Sequence, residues 1–266
     1  MKENILICPI CKNNLTQNLH SLSCNLRHCF DISKEGYINL LLVNQKKTND
    51  PGDNKETVVA RQNFFNKGYY FPLAKEISNI TKVFCESNSI ILDAGCGTGF
   101  YLSNIDCGSQ KIGIDISKHA IKIAAKKYQD IRFIVASIFN LPIKENSIDC
   151  ILNIFAPKAN DEFMRVLKHK GIIVEVIPGK LHLVELKKCL YNELHYNRTD
   201  VKKFDTQCIS EHQLTYKQNI GHNDLIQLFD MTPYAFKTSQ NDKEKLDKID
   251  NMDITFDFII KIWRKI

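Results

Sequence analysis

Leu92-Asp93-Ala94-Gly95-Cys96-Gly97-Thr98-Gly99-Phe100 is the stretch on which the reading of this chain turns. An apolar run, residues 90–92, leads into it as a short strand, and the glycines that follow let backbone turn sharply and approach a ligand at the mouth of a sheet. Further β-branched runs lie at residues 112–114, 131–135, 148–155 and 172–177, with amphipathic helical spacing between them. That alternation predicts a doubly wound α/β sheet. Asp115 ends the second run, where a carboxylate can accept both hydroxyls of a ribose. The glycine spacing is G-x-G-x-G and not the G-x-G-x-x-G of dinucleotide binders.

Working outward, residues 55–84 carry Val58, Val59, Phe64 and Phe65, then Leu73, Ile77, Ile80 and Phe84 at helical spacing. This predicts two helices broken near Gly68 and Pro72. Ser117 is placed to N-cap a helix with Ala120, Ile123, Ala124 and Lys127 on the 3.6 period. Beyond Pro178 a helix is expected over 183–194, then less regular sequence, then a strand over 254–263. The turn-rich stretch 44–53 is the best linker.

Four of the ten cysteines lie before residue 30, three of them with His28 in the spacing Cys8-x2-Cys11-x12-Cys24-x3-His28. Three thiolates and one imidazole make a closed tetrahedral set, the chemistry of one structural zinc. Cys29, beside His28, is the alternative fourth ligand, and a Cys8–Cys11 disulfide is the minor alternative to a metal. Lys12 and Arg27 would offset the excess thiolate charge. A sub-domain of some 40 residues is too small to rest on its core alone, so metal binding would supply much of its folding free energy.

With 266 residues, 44% of them hydrophobic, the chain has room for one large catalytic domain and a small accessory one. No apolar run approaches the ~20 residues of a membrane span, and the first residues are too soon interrupted by Cys8 and Pro9 for a signal peptide, so a soluble cytoplasmic protein is expected. A net charge of +6 permits a nucleic-acid partner without requiring one.

The glycine stretch resembles the first motif of class I methyltransferases, whose cofactor is S-adenosylmethionine. The order of the pieces resembles the 23S rRNA (guanine-N1)-methyltransferases, in which a zinc domain precedes a class I domain. Phe30-Asp31, Lys34-Glu35-Gly36-Tyr37-Ile38-Asn39-Leu40-Leu41, Asp50-Pro51-Gly52-Asp53, Gly68-Tyr69-Tyr70-Phe71-Pro72-Leu73, Phe155-Ala156-Pro157, Pro178-Gly179 with His182, and Met231-Thr232-Pro233-Tyr234-Ala235-Phe236 resemble blocks of that family. The resemblance covers almost the whole chain. It implies a class I, Rossmann-like mixed sheet with a small N-terminal zinc-binding domain: an RNA-recognition zinc domain over 1–43, a linker with helices covering the cofactor site over 44–84, and the methyltransferase domain over 85–266.

On this reading Asp93 orients the glycine loop and contacts the methionine end of the cofactor, Asp115 holds the ribose, and Ser137 occupies the adenine edge unless it only caps a turn. The resemblance adds Tyr70, Gly97, Thr98 and His182 as cofactor contacts beside Gly95 and Gly99; Tyr70 as a packed aromatic and His182 as a helix cap are the structural alternatives. Two departures stand out: Thr98 replaces a common acidic residue, and His169-Lys170-Gly171 replaces Pro-Gly-Gly before the fifth strand. For guanine chemistry, Asn153 would orient the base edge and Phe155 would stack on a flipped base. The N1 proton acceptor stays open among a backbone carbonyl, Glu193 and solvent. Arg27, Lys34, Lys46 and Lys47 are the candidate phosphate contacts to a 23S rRNA hairpin. The family resemblance also implies a homodimer. Two other functions compete: a small-molecule methyltransferase, against which the zinc domain argues, and a non-catalytic RNA-binding protein, against which the intact Asp93, glycine and Asp115 set argues. In either methyltransferase reading the 85–266 part is expected to have its own core.

Overall fold

A computed structural model describes residues 5–46, 48, 51–107, 110–194, 196–199, 203–236 and 238–266. The N-terminal module contains three short antiparallel strands, β1 (Thr16–Asn18), β2 (Ser21–Ser23) and β3 (Cys29–Asp31). The chain then reverses at Gly36, whose φ of +93° suits glycine, and its N–H donates to the Ser33 carbonyl at 2.9 Å. The next strand, β4 (Ile38–Asn39), leaves the module and becomes one edge of the main sheet.

Helices α1 (Lys55–Asn66) and α2 (Phe71–Phe84) form where the spacing predicts. Asn54 caps α1 by accepting the Thr57 N–H at 2.8 Å. The break falls at Gly68, at φ +85°, while Pro72 sits in the first turn of α2, where its missing N–H removes no helical bond.

The remaining strands and helices largely alternate: β5 (Ile90–Ala94), α3 (Phe100–Ser103), β6 (Gln110–Asp115), α4 (Lys118–Lys127), β7 (Arg132–Val135), β8 (Ile148–Ile154), α5 (Asn160–Val166), β9 (Leu167–Pro178), α6 (Val184–Leu190), β10 (Gln207–Gly221), α7 (His222–Asp230), α8 (Gln240–Lys243) and β11 (Asn251–Arg264). The sheet order is β10-β11-β9-β8-β5-β6-β7-β4. The five central strands run parallel, and β11 is antiparallel to both β9 and β10, so the sheet is mixed as expected. The strand order reverses between β5 and β8. A crevice opens there beyond the carboxyl ends of the strands, the place where open α/β sheets bind ligands.

Several local readings shift. Ser117 does cap α4, accepting from the Ala120 N–H at 3.4 Å, but the buried stripe is Ala120, Ile121, Ala124 and Ala125, with Ile123 only half-buried. Strand β9 begins at Leu167 and not at residue 172, and Lys170 takes φ +62° beside Gly171. Helix α6 stops at Leu190, short of residue 194. β10 and α7 occupy a segment that reads as irregular, because β10 is an edge strand of largely polar residues.

The two sheet faces have different covers. One packs against Leu73 and Ile77 of α2, Ile121 and Ala124 of α4, Leu186 of α6 and Leu225 of α7. The other joins Ile90, Leu92, Ile112 and Ile114 to Phe163 of α5 and to Ile5, Leu6, Leu15 and Leu22 of the N-terminal module. The module thus replaces part of a helical layer. On the helix-covered face the methyltransferase strands have a core built almost entirely from residues 64–262, while on the opposite face the central strands and the module share one apolar layer. No helix among the described residues is long and apolar enough to cross a membrane.

Candidate active site and metal centre

The glycine turn is held rigidly. The N–H groups of Gly95 and Cys96 donate to the Ile114 carbonyl at 2.8 and 3.0 Å, pinning the turn to β6. Gly95 has φ +89°, and a Cβ there would stand 2.7 Å from Ala156 Cβ, so the turn and the segment after β8 approach too closely for any side chain. Gly97 N–H donates to Asp115 Oδ2 and Ser117 N–H to Asp115 Oδ1, both at 2.8 Å. Burial pushes the Asp115 carboxyl above its usual range, and these two backbone donors offset that only in part.

Asp93, Thr98 and Tyr101 are buried behind or on the wall of the crevice, and Asp93 Oδ2, Thr98 Oγ1 and Tyr101 Oη have no hydrogen-bond partner among the described residues. A buried polar group left unpaired costs ~1–3 kcal/mol, so three together mark a place prepared for a ligand. Burial, with the nearby Asp115 charge, lifts the Asp93 carboxyl to about 8. An ammonium group brought to this carboxyl would relieve both penalties, and the donor set fits the amino-acid end of S-adenosylmethionine as Asp115 fits its ribose.

The crevice is a cavity of about 900 Å³. That lies near the top of the ~300–1,000 Å³ of small-molecule sites. Tyr70 and His182 share its far wall. Tyr70 is ringed by Phe64, Phe65, Phe256 and Phe258, and its hydroxyl lies 3.5 Å from His182 Nε2. His182 Nδ1 accepts the Asp257 N–H at 3.3 Å, an assignment that leaves its proton on Nε2, toward Tyr70. Burial, with Lys187 nearby, drives His182 down to about 3, so the ring is neutral. Its side chain caps no helix; Leu183, at φ +56°, holds the N-cap position of α6. Asp257 also fixes this loop by accepting the Leu181 N–H at 2.8 Å.

Ser137 lines the cavity, and its Oγ accepts the Phe139 N–H at 3.2 Å to cap a turn. Gly99, at φ +77°, begins α3 with no room for a Cβ, which would meet the Phe133 ring at 2.8 Å. Phe155 directly follows β8 at φ +53° and is 44% exposed, on the cavity wall. A bulky residue in the left-handed region is a strained outlier, and such strain collects at functional sites. Its ring lies 6.5 Å from His182 and 6.5 Å from Tyr70. Asn153 does not face the cavity. Its Nδ2 donates to the Ala156 and Pro157 carbonyls at 3.4 and 3.1 Å, so it braces the segment that carries Phe155 and does not reach a base edge. Glu193 is exposed and off the cavity wall.

Gly52, Asp53 and Arg61 also line the cavity; they lie in the 44–84 stretch expected to cover the cofactor site, although none is singled out by the sequence pattern. The segment read as linker packs down instead: Ser117 Oγ donates to the Asp53 carbonyl at 3.1 Å, and a Cβ on Gly52 would meet Ser117 Cβ at 2.9 Å. Arg61 pairs with Asp53. A turn-rich segment before a capped helix looks alike whether it is loose or docked, so only a tertiary contact distinguishes the two.

The ligand atoms of Cys8, Cys11, Cys24 and His28 lie within 4.8 Å of one another. Neighbouring atoms are closer: Cys8 Sγ to His28 Nδ1 is 3.5 Å, Cys11 Sγ to Cys24 Sγ 3.6 Å, and Cys24 Sγ to His28 Nδ1 3.3 Å. A tetrahedron with ~2.3 Å metal–sulfur bonds has edges of roughly 3.7 Å, so the set fits zinc. Lys12 and Arg27, at φ +62° and +64°, close the two knuckles by donating to the Cys8 and Cys24 carbonyls at 2.9 Å each. Cys29 is exposed in β3 and stands outside the set, and the cysteines are unbridged. Lys12 Nζ points away from the thiolates to Asn140 Oδ1 at 2.7 Å, tying the knuckle to the loop that bears Ser137. Of the proposed phosphate contacts, Arg27, Lys34 and Lys46 are exposed, and Lys47 lies outside the described residues.

Residues 6–49 match the zinc ribbon model described as the RlmA N-terminal domain, and residues 92–174 match a methyltransferase domain model. A Bacillus subtilis chain with the provisional name of a 23S rRNA (guanine-N1)-methyltransferase is 29% identical over 97% of this chain and 96% of its own length. The Streptomyces fradiae 23S rRNA (guanine(748)-N(1))-methyltransferase is 29% identical over 71% of this chain and 70% of its own. A Micromonospora griseorubida chain, also provisionally named for 23S rRNA guanine-N1 methylation, is 30% identical over 68% of each chain. The chain belongs to the 23S rRNA (guanine-N1)-methyltransferase family.

Proposed function

We propose that this protein transfers the methyl group of S-adenosylmethionine to N1 of a guanine in a hairpin loop of 23S rRNA: the N1–carbon bond forms as the sulfonium carbon–sulfur bond breaks, S-adenosylhomocysteine leaves, and the N1 proton passes to solvent. The observation that carries the reading is one cavity with two kinds of wall: unpartnered polar groups around the glycine turn, and the strained, exposed Phe155 opposite. Bound S-adenosylmethionine supplies an electrophilic methyl carbon on a sulfonium. The chain's part is alignment in a dry site. Asp93 meets the ammonium, Thr98 and Tyr101 offer hydroxyls beside it, Asp115 accepts from the ribose, and Ser137 borders the adenine.

Tyr70 takes the His182 Nε2–H on its oxygen, which leaves its own proton free to point into the cavity. Phe155 gives a flipped guanine a face to stack on, worth ~1–3 kcal/mol per base. Asn153 keeps that face in place through the carbonyls of Ala156 and Pro157. Zinc held by Cys8, Cys11, Cys24 and His28 has no open position and is structural. The exposed Arg27, Lys34 and Lys46 are phosphate contacts. An unpaired loop guanine is the target, because N1 is engaged in a Watson–Crick pair. The cytoplasm and a homodimer complete the reading; light scattering on a sizing column reports the second.

The test is in vitro transfer of labelled methyl to an rRNA transcript spanning guanine 748, the position in the Streptomyces relative's name, with nuclease digestion and mass spectrometry. The expected product is 1-methylguanosine. Label appearing only on small molecules, or a different methylnucleoside, refutes the reading.

A further inference from the structure

Helix α4 carries lysines that its own stability does not explain. Lys118, Lys122 and Lys126 are exposed at four-residue spacing, so they form one row. Like charges at that spacing destabilise a helix by ~0.2–0.5 kcal/mol per pair, and a cation in the first turn opposes the helix dipole. The first turn has no acidic residue to compensate. Lys126 at the other end does suit the dipole, but Lys118 and Lys122 do not. Lys118 and Lys126 pair with no acid among the described residues, and Lys122 has one partner, Glu35, at 3.4 Å. Lys127 is not part of the row: its amine goes to Asn66 Oδ1 at 3.0 Å.

The row begins three residues past Asp115, which lines the cavity, and ends against the zinc-binding module. Its first residue follows Ser117, whose N–H holds Asp115 at 2.8 Å. About 12 Å down the helix, from eight residues at 1.5 Å each, it reaches a groove of about 790 Å³ whose opposite wall is Lys34, Glu35 and Gly36. Lys34 is exposed there and adds a fourth positive charge from the other module. Successive lysines stand about 6 Å apart, close to the spacing of phosphates along one strand.

We infer that the α4 lysine row, with Lys34 across the groove, is a track for the phosphate backbone of the RNA substrate, so that a strand leaving the cavity runs down α4 to the zinc module. This rests on the proposed function and adds a surface to it. The occupant is a polyanionic strand because three aligned cations, of which only Lys122 has an acidic partner, match a repeating single charge better than a discrete ligand.

The test is the triple variant Lys118→Gln, Lys122→Gln, Lys126→Gln, since glutamine keeps helix propensity. Fluorescence anisotropy with the same rRNA hairpin transcript is measured across a salt series, alongside S-adenosylmethionine calorimetry and thermal unfolding. Lys188→Gln with Lys248→Gln, two exposed lysines elsewhere, is the control. The expected result is at least roughly tenfold weaker RNA binding near physiological salt and a log–log salt slope smaller by about 2 to 3, from ~0.7–0.9 per phosphate contact. Cofactor affinity and the unfolding midpoint stay at wild-type values, and saturating RNA restores the methylation rate. An unchanged slope and affinity in the triple variant, with a wild type that methylates the hairpin, overturns the track alone. A wild type that neither binds nor methylates the hairpin overturns the proposed function with it.

Discussion

Replacing Asp115 by alanine tests the cofactor site at its most completely constrained residue. The wild-type carboxylate spends one lone pair of each oxygen on the Gly97 and Ser117 N–H groups at 2.8 Å, leaving about half of its roughly four acceptor positions for ribose hydroxyls. Hydrogen bonds to an ionised acceptor contribute ~1.5–3 kcal/mol, so cofactor affinity should fall about 10- to 150-fold. The folded state should change less. Two backbone donors lose a partner, but they can take water at the cavity wall, and a buried charge beside Asp93 is removed. Asparagine should be no gentler than alanine, because its NH₂ must face one of the two N–H donors. Titration calorimetry with S-adenosylmethionine reads the affinity, and thermal unfolding reads the stability. Affinity within threefold of wild type for Asp115→Ala would refute the assignment of this carboxylate to the ribose.

Gly95→Ala places a Cβ 2.7 Å from Ala156 in a backbone at φ +89°, so it should lower the unfolding midpoint and weaken cofactor binding more than tenfold; normal calorimetry would contradict the close approach. Asp93 is raised to about 8 by burial and by Asp115, so in the ligand-free protein its stabilising contribution is complete below the ordinary carboxylate pKa and disappears as pH rises through 8. A bound ammonium favours the ionised form, so affinity should climb toward pH 8 with release of a proton. Calorimetry in two buffers of different ionisation heat measures this, and Asp93→Asn should abolish it. Phe155→Leu should keep cofactor affinity and lower methyl transfer to RNA by about 5- to 150-fold, the loss of ~1–3 kcal/mol of base stacking; equal loss of cofactor binding would reassign the ring. Cys24→Ser, or zinc removal by chelation, should lower the unfolding midpoint of the entire chain in one transition; two separate transitions, with the later one at the wild-type temperature, would contradict the shared core.

What was legible in the sequence was whatever the local pattern determines. The glycine turn and Asp115 were readable because a strand, a turn needing positive φ and an acid at the next strand's end are all short-range features. The zinc ligands were readable because chelation imposes its own spacing. Asn153 was misread for a related reason: sequence places it at a strand end near the mouth, but only the register decides which face it takes, and there its amide meets the Ala156 and Pro157 carbonyls. Phe155, two residues on, follows the opposite logic. Its positive φ turns the ring outward to the cavity, and no sequence pattern announces a strained phenylalanine.

The shared core was hidden for a different physical reason. A module of about 40 residues with its own metal reads as self-sufficient, because zinc accounts for its stability without a large apolar core. Yet Ile5, Leu6, Leu15 and Leu22 are buried at 0–1% exposure, and they close over Ile90, Leu92, Ile112 and Ile114 of the central strands. Those four strand residues lie directly before Asp93, the glycine turn and Asp115. The backbone ties are equally direct: Ile7 N–H donates to the Pro142 carbonyl at 3.0 Å and Lys144 N–H to the Ile5 carbonyl at 2.9 Å, on either side of the segment that follows the Ser137 loop. Metal loss therefore does more than release an RNA-binding appendage. It uncovers the apolar side of the strands that position the cofactor carboxylates, and at ~25 cal/mol per Å² even a few newly exposed side chains amount to several kcal/mol, comparable to the whole stability of a domain. For this chain, a variant that loses zinc should lose cofactor binding as well as RNA binding, and the two functions separate only in variants, such as the α4 lysines, that leave the shared interior closed.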